Sequence, residues 1–203
     1  LTHQPISPIL AKMKITENIK LLPDILQHAV LRETLERTNA ACNYLSEVGW
    51  KANILRQYDL HKLAYHNTKN KFGLVSDMVI RCIAKVADAY KLDKKVQRVF
   101  REHSAHPYNH HILNFSKKAD IISISTTQGR LKIPYVMGDY QRKLFVFRKG
   151  ESDLMLIDGK FYLACVCDID EPELIKTQGV LGIDFGIENI ACTSDGTIFS
   201  GKD

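Results

Sequence analysis

An acidic residue stands inside an apolar run near the carboxyl end of the chain. Asp184 lies in the segment Gly182-Ile183-Asp184-Phe185-Gly186, which predicts a strand with one carboxylate at its middle. An ionised carboxylate inside a sheet costs several kcal/mol unless it is compensated. A divalent cation compensates it well, because carboxylate oxygens are its preferred ligands. The pattern therefore predicts Asp184 as a metal ligand of the kind that positions ions for activating water.

Other interpretations of this strand stay open. Sugar kinases and other ribonuclease-H-like ATPases open with a similar strand that serves phosphate binding, and an Asp also commonly begins a turn. A phosphotransferase of that class would need a glycine-rich phosphate loop after Asp184. Residues 187–190, Ile-Glu-Asn-Ile, do not provide one.

Positive charge is concentrated in one part of the sequence. The chain has a formal net charge of +5, but residues 51–103 hold 12 basic and 5 acidic residues, a net of +7. The remaining chain holds 16 basic and 18 acidic residues. The basic residues near the end of the third predicted helix form a candidate phosphate-binding patch, which supplies affinity that depends on salt. They are Lys85, Lys91, Lys94, Lys95, Arg98 and Arg101. The alternative is a solvated helix face of an ordinary protein.

Histidine and cysteine patterns favour structural roles. His103, His106, His110 and His111 cluster around Pro107, but they have no nearby cysteine and predict a solvent-facing or phosphate-contacting loop more than a zinc site. Cys165 and Cys167 lie two apart in a predicted strand, so they share a face and are expected to pack in the core.

The amino-terminal half predicts one strand followed by helices. Partial alternation over 12–22, ending at Pro23, predicts a strand. Apolar residues at spacings of three and four then predict a helix from Ile25 to a stop at Gly49. A second helix is predicted from an N-cap at Asp59 to Gly73, and a third begins at Ser76, with helical structure expected up to about Phe100.

The carboxyl-terminal half predicts short strands. Turn signals at Gln128-Gly129, Lys149-Gly150 and Asp158-Gly159 separate several of them, which indicates an antiparallel sheet or small barrel. The predicted strands are 112–115, 121–125, 131–134, 144–147, 154–157 and 161–166. An acidic linker at 168–173 precedes a second hairpin that begins with a strand over 180–185 and continues at 189–193 and 198–199.

Composition bounds the class of protein. Five cysteines at irregular spacing argue against a disulfide framework and predict a reducing compartment. No apolar run approaches the roughly 20 residues of a membrane helix, and the first ten residues lack a signal-peptide pattern. We therefore expect a soluble intracellular protein without a membrane partner. The chain begins with Leu1, which suggests a processed or partial sequence.

Several of these segments, in this order, resemble the TnpB family, the OrfB-type putative transposases that are related to type V CRISPR effectors. The resemblance spans about Lys14 to Ser200. It is carried by the strand at 15–23, the helix sequences at 31–44 and 84–90, Gly138-Asp139-Tyr140-Gln141-Arg142, the segments at 158–163 and 182–187, and Ser194-Asp195-Gly196.

The resemblance implies a transposon-associated RNA-guided DNA endonuclease. Its fold class would be α+β: a small antiparallel, wedge-like β-barrel from 11–23 and 108–170, an inserted helical recognition module at 24–107, and the start of a RuvC-like (ribonuclease-H-like) nuclease domain at 178–203. Asp184 would be the first of three carboxylates that bind Mg²⁺, and the basic patch with Gln141 and Arg142 would contact guide RNA or target DNA. The guide would read sequence, while the protein would recognise shape and backbone. The location implied is the cytoplasm of a prokaryote, in association with the nucleoid.

One departure from the family pattern limits the activity expected of this chain. The second and third carboxylates and the zinc ribbon of the family have no counterpart in these 203 residues. Asp184 alone cannot hold two metal ions, so we expect no cleavage by this chain. It is either the nucleic-acid-binding amino-terminal part of a longer nuclease or a catalytically dead nucleic-acid-binding remnant or regulator.

Overall fold

The first strand and first helix follow the predicted periodicities closely. The computed structural model describes residues 12–116, 118–171 and 179–201. Strand β1 (Lys12–Leu21) buries Glu17, Ile19 and Leu21 on one face, as alternation predicts. Helix α1 (Ile25–Ala52) begins at an Asp24 cap, whose carboxylate accepts from the backbone N–H of Gln27 at 2.8 Å.

Gly49 does not end α1, so the predicted stop there is wrong. The helix continues to Ala52 and ends at Asn53, which adopts a left-handed φ of 56°. At Gly49 a Cβ would lie 2.7 Å from the carbonyl oxygen of Ile54. Gly49 is therefore required because the backbone of Ile54, just after the helix, lies close to it, and not because the chain reverses at this position.

Two further helices complete a three-helix bundle. Helix α2 (Gln57–Phe72) starts two residues before the predicted N-cap, so Asp59 lies in its first turn, and it ends at Gly73 as predicted. Helix α3 (Ser76–Leu92) also starts as predicted but ends before Phe100. Each of the three helices packs against the other two.

Seven strands between residues 12 and 170 form one antiparallel sheet. They are β1, β2 (His106–Tyr108), β3 (Leu113–Phe115), β4 (Ile121–Thr126), β5 (Gly129–Val136), β6 (Arg148–Ile157) and β7 (Lys160–Asp170), in the order β2-β6-β7-β1-β5-β4-β3. β1 lies at its centre and pairs with β7 from Lys12↔Asp170 to Lys20↔Tyr162. The sheet is nearly closed and barrel-like. Together with the helices it confirms the predicted mixed α+β class.

Turn chemistry explains the hairpins. Asp158 and Gly159 have φ of 46° and 71°, as a two-residue turn between β6 and β7 requires. Lys149-Gly150 is not a turn between strands; it forms an irregularity inside β6, where Gly150 has a φ of 74°. The predicted strand at 144–147 is also wrong, because its first two residues end helix α4 (Asp139–Phe145) and its last two form a turn.

The chain divides into two units, with the boundary between Asp170 and Glu171. In the first unit one apolar cluster includes residues of both helices and sheet, so a division at residues 23/24 and 107/108 stays a prediction. The predicted linker at 168–173 is wrong over its first three residues, because β7 continues to Asp170, and residues 172 and 173 lie outside the described residues. No helix in the described part of the chain is long and apolar enough to cross a membrane.

The second unit contains a small antiparallel sheet. Its strands are β8 (Ile183–Asp184), β9 (Asn189–Thr193) and β10 (Ile198–Ser200), in the order β10-β9-β8. The predicted strand over 180–185 is therefore reduced to two paired residues. The RuvC-like assignment of this hairpin stays a prediction.

Candidate nucleic-acid interface

The irregular chain after α3 carries four of the six predicted patch residues. Residues 93–105, called here the anchored segment, contain no helix or strand. Polar side chains of α1 nevertheless hold its backbone. Ser46 donates its hydroxyl to the carbonyl of Arg98 at 2.6 Å. Asn43 bonds both backbone groups of Phe100, at 2.9 and 2.7 Å.

A third side chain of α1 extends the same pattern. The amide of Asn39 donates to the carbonyls of Glu102 and Ser104, at 2.9 and 2.8 Å. Asn39, Asn43 and Ser46 therefore form a row along about two turns of α1, roughly 10 Å. Their side chains form hydrogen bonds with backbone groups of the anchored segment, which pairs with no strand in the described part of the chain. Sequence reasoning missed this row, although its signal was present as polar residues at helical spacing within an apolar face.

Lys85 lies behind the anchored segment. Its side chain is half-buried, and the ammonium donates to Asn39 Oδ1 at 2.7 Å and to the carbonyl of Ala105 at 2.6 Å. Burial lowers the pKa of Lys85 from its ordinary value. A phosphate contact by Lys85 would have to break both bonds, so its geometry favours a positioning role.

Two more patch residues have acidic partners. Lys91 pairs with Asp88 at 2.6 Å, and both side chains are mostly exposed. Arg98 pairs with Asp93 at 3.2 Å and also donates to the carbonyl of Asp93 at 3.0 Å. Each acid offsets part of the positive charge that its partner offers to a phosphate.

The remaining three patch residues are free cations. Lys94, Lys95 and Arg101 are exposed, and none makes an ion pair with a residue that the structure describes. We call these three the basic triad. Arg101 lies between backbone groups that α1 holds, and Lys94 and Lys95 lie between the end of α3 and the first of these anchors at Arg98. The backbone at Arg101 therefore requires little ordering when a polyanion binds.

Gln141 and Arg142 both lie on α4 and bond within the protein. Gln141 donates to the carbonyl of Asn18 at 2.9 Å and accepts from the N–H of Gly138 at 3.0 Å. Arg142 forms a two-point pair with Asp120, and its guanidinium holds the pKa of that carboxyl below its ordinary value. The predicted pair thus joins α4 to the sheet.

Asp184 occupies the short edge strand β8, opposite Cys192. It is exposed, so in the described unit its charge needs no compensating ion, and its role as a metal ligand stays a prediction. In the described residues no group of three potential metal-ligating side chains includes Asp184. One exposed carboxylate is not a sufficient donor set for Mg²⁺, so these residues by themselves do not fit the ion.

A cluster of potential ligands lies elsewhere. Glu36, Glu102 and His103 bring their ligand atoms within 4.8 Å of one another. One oxygen of Glu36 already accepts from His103 at 3.0 Å and from Arg32 at 2.8 Å, and these two bonds lower the pKa of Glu36. The cluster therefore works as an ion-pair network that joins α1 to the anchored segment.

The four clustered histidines do not form one site. His106 is fully buried in β2, whereas His110 and His111 are exposed on the following turn. Both ring nitrogens of His106 lack a hydrogen-bond partner among the described residues. Burial, with smaller effects of Lys85 and Arg81, lowers the pKa of His106 to about 3. The predicted solvent-facing loop is thus wrong at His106.

Comparison with known proteins gives no family assignment. No family model matches the chain, and no curated protein is significantly similar to it.

Proposed function

We propose that this chain binds nucleic acid through the basic triad, as the amino-terminal part of a transposon-associated RNA-guided DNA endonuclease that holds guide RNA and target DNA. The observation that carries the proposal is the pairing pattern of the cations. Lys94, Lys95 and Arg101 have no ionic partner among the described residues, and side chains of α1 bond the backbone on both sides of Arg101. Exposed cations without acidic partners suit phosphate contacts without base readout.

The sequence resemblance supplies the finer part of the proposal. It supports the assignment to an RNA-guided nuclease, a RuvC-like origin for β8–β10 and Asp184 as a first catalytic carboxylate. Cleavage is no part of the activity that we propose for these residues, because in the described part of the chain Asp184 belongs to no group of three potential ligands, and a two-metal site needs several carboxylates.

Fluorescence anisotropy with labelled structured RNA and labelled duplex DNA tests the proposal. The variant Lys94→Ala/Lys95→Ala/Arg101→Ala is expected to bind both at least about tenfold more weakly at low salt, because it removes three phosphate contacts. A matched control removes three exposed cations from the sheet and its loops: Lys118→Ala/Lys132→Ala/Lys160→Ala. It keeps the same net charge as the test variant and should bind like the wild type.

Two outcomes would overturn the proposal. One is a wild-type chain that binds neither nucleic acid at low salt. The other is an equal loss of affinity in the two triple variants, which would show that net charge matters and the position of the triad does not.

A further inference from the structure

A cleft of about 820 Å³ lies next to the basic triad in the helical bundle. It is bounded by the connection between α1 and α2, by the first turns of α2 and by the carboxyl end of α3. Its volume falls in the range of small-molecule sites, which is about 300–1,000 Å³. Lys94 belongs both to the cleft and to the triad.

The floor of the cleft is apolar and held in place. Ile54, Leu55, Leu63, Ala87 and Tyr90 line it. Tyr90 is 1% exposed, and its hydroxyl lies 2.7 Å from the Ser46 hydroxyl. Behind it the Trp50 ring stacks at a centroid distance of 6.0 Å, so the floor is formed before any ligand arrives.

The rim of the cleft is cationic. Arg56, Lys62, Lys91 and Lys94 surround it, against one acid, Asp59. Lys91 pairs with Asp88 outside the cleft, and the Lys62 ammonium lies 4.3 Å from the centre of the Tyr58 ring. Arg56 and Lys94 have no ionic partner among the described residues. The rim therefore favours an anionic occupant.

An apolar floor beneath a cationic rim suits a molecule with a planar ring at one end and a phosphate at the other. We infer that this cleft holds one unpaired nucleotide of the bound strand, with its base against the floor and its phosphate near Arg56 and Lys94. The inference rests on the proposed function, because the shared residue Lys94 makes the cleft continuous with the triad. Proteins that bind single strands hold bases against side-chain surfaces, most often aromatic ones, while cations follow the backbone. Here the exposed part of that surface is aliphatic.

A pair of matched variants tests the subsite. Leu63 is 38% exposed on α2, so Leu63→Glu should fold while placing a carboxylate on the floor. Leu92 is 88% exposed at the end of α3 and does not line the cleft, so Leu92→Glu makes the same chemical change nearby. Each is compared with the wild type in binding a single-stranded RNA and an abasic oligonucleotide of the same length and charge.

The wild type should bind the base-bearing strand about tenfold more tightly than the abasic strand, as expected for one seated base. Leu63→Glu should remove this preference, and Leu92→Glu should retain it. A second readout uses Trp50, the single tryptophan of the chain. Its emission should change when adenosine monophosphate is added and should not change with ribose 5-phosphate.

The outcomes separate this inference from the function on which it rests. Salt-dependent binding with no preference for bases would overturn the subsite and leave the role of the triad intact. A base preference that survives Leu63→Glu would also overturn it, because the base would then lie elsewhere. A wild type that binds neither oligonucleotide would contradict both.

Discussion

At the scale of single residues, exposure and pairing divide cations that look equivalent in sequence. Six basic residues within residues 85–101 form one predicted patch, yet Lys85 is half-buried while Lys94 and Lys95 are free in solvent. Sequence supplies the charges and their density. It does not supply the partners, because those come from Asn39 on another helix and from the carbonyl of Ala105.

Lys85→Met should destabilise the fold and weaken nucleic-acid binding much less than the loss of the basic triad does. The substitution keeps the length of the side chain but leaves Asn39 Oδ1 and the carbonyl of Ala105 without their donor, which costs about 1–3 kcal/mol of unfolding free energy. Urea denaturation measures the loss. Lys91→Met, at an exposed pair, should change stability by no more than about 0.5 kcal/mol. Unchanged stability with weakened RNA binding would instead place Lys85 at the interface.

At the scale of elements, periodicity and turn residues were sufficient to predict the helices, strands and turns that have a local cause in the sequence. The strand at 12–22, the start of α3 and the hairpin at Asp158-Gly159 were all predictable, since each has a local cause. The apolar run at 144–147 was not, because a short apolar run suits a strand or a helix equally. Edge strand β2 was missed because it has three residues, one of them Pro107.

Strand β2 carries a pH dependence through His106. The folded protein keeps His106 neutral, since its pKa falls from the ordinary 6.5 to about 3, while the unfolded chain takes up a proton below pH 6.5. The stabilising effect of the neutral ring is therefore complete above pH 6.5 and is lost as the pH falls toward 3. Across this window the unfolding free energy should fall by up to about 1.4 kcal/mol per pH unit.

Denaturation at several pH values between 7.5 and 5.5 measures this slope before carboxylates titrate. His106→Phe should flatten the slope even if repacking changes absolute stability. The exposed His66 on α2 provides the control, and His66→Asn should retain the slope of the wild type. An identical slope in His106→Phe and the wild type would exclude the buried ring as its source.

At the scale of the whole molecule, charge and architecture agree in the first unit. The segment 51–103, with its net charge of +7, runs from the end of α1 through α2 and α3 into the anchored segment, and it carries both the basic triad and the cleft. The barrel-like sheet could be predicted from strands and turns. The anchoring row on α1 and the cleft could not, since both depend on long-range contacts between Ser46, Tyr90 and Arg98. The nuclease origin of the second unit stays a prediction.

The salt dependence of RNA binding tests the central claim most directly. The logarithm of the binding constant is plotted against the logarithm of salt concentration. The slope of this plot reports how many phosphates the protein neutralises, at about 0.7 per contact for a single strand. We expect a steep slope for the wild type and a slope about two units shallower for Lys94→Ala/Lys95→Ala/Arg101→Ala. Equal slopes for the wild type and this variant would contradict a phosphate-binding role for the basic triad.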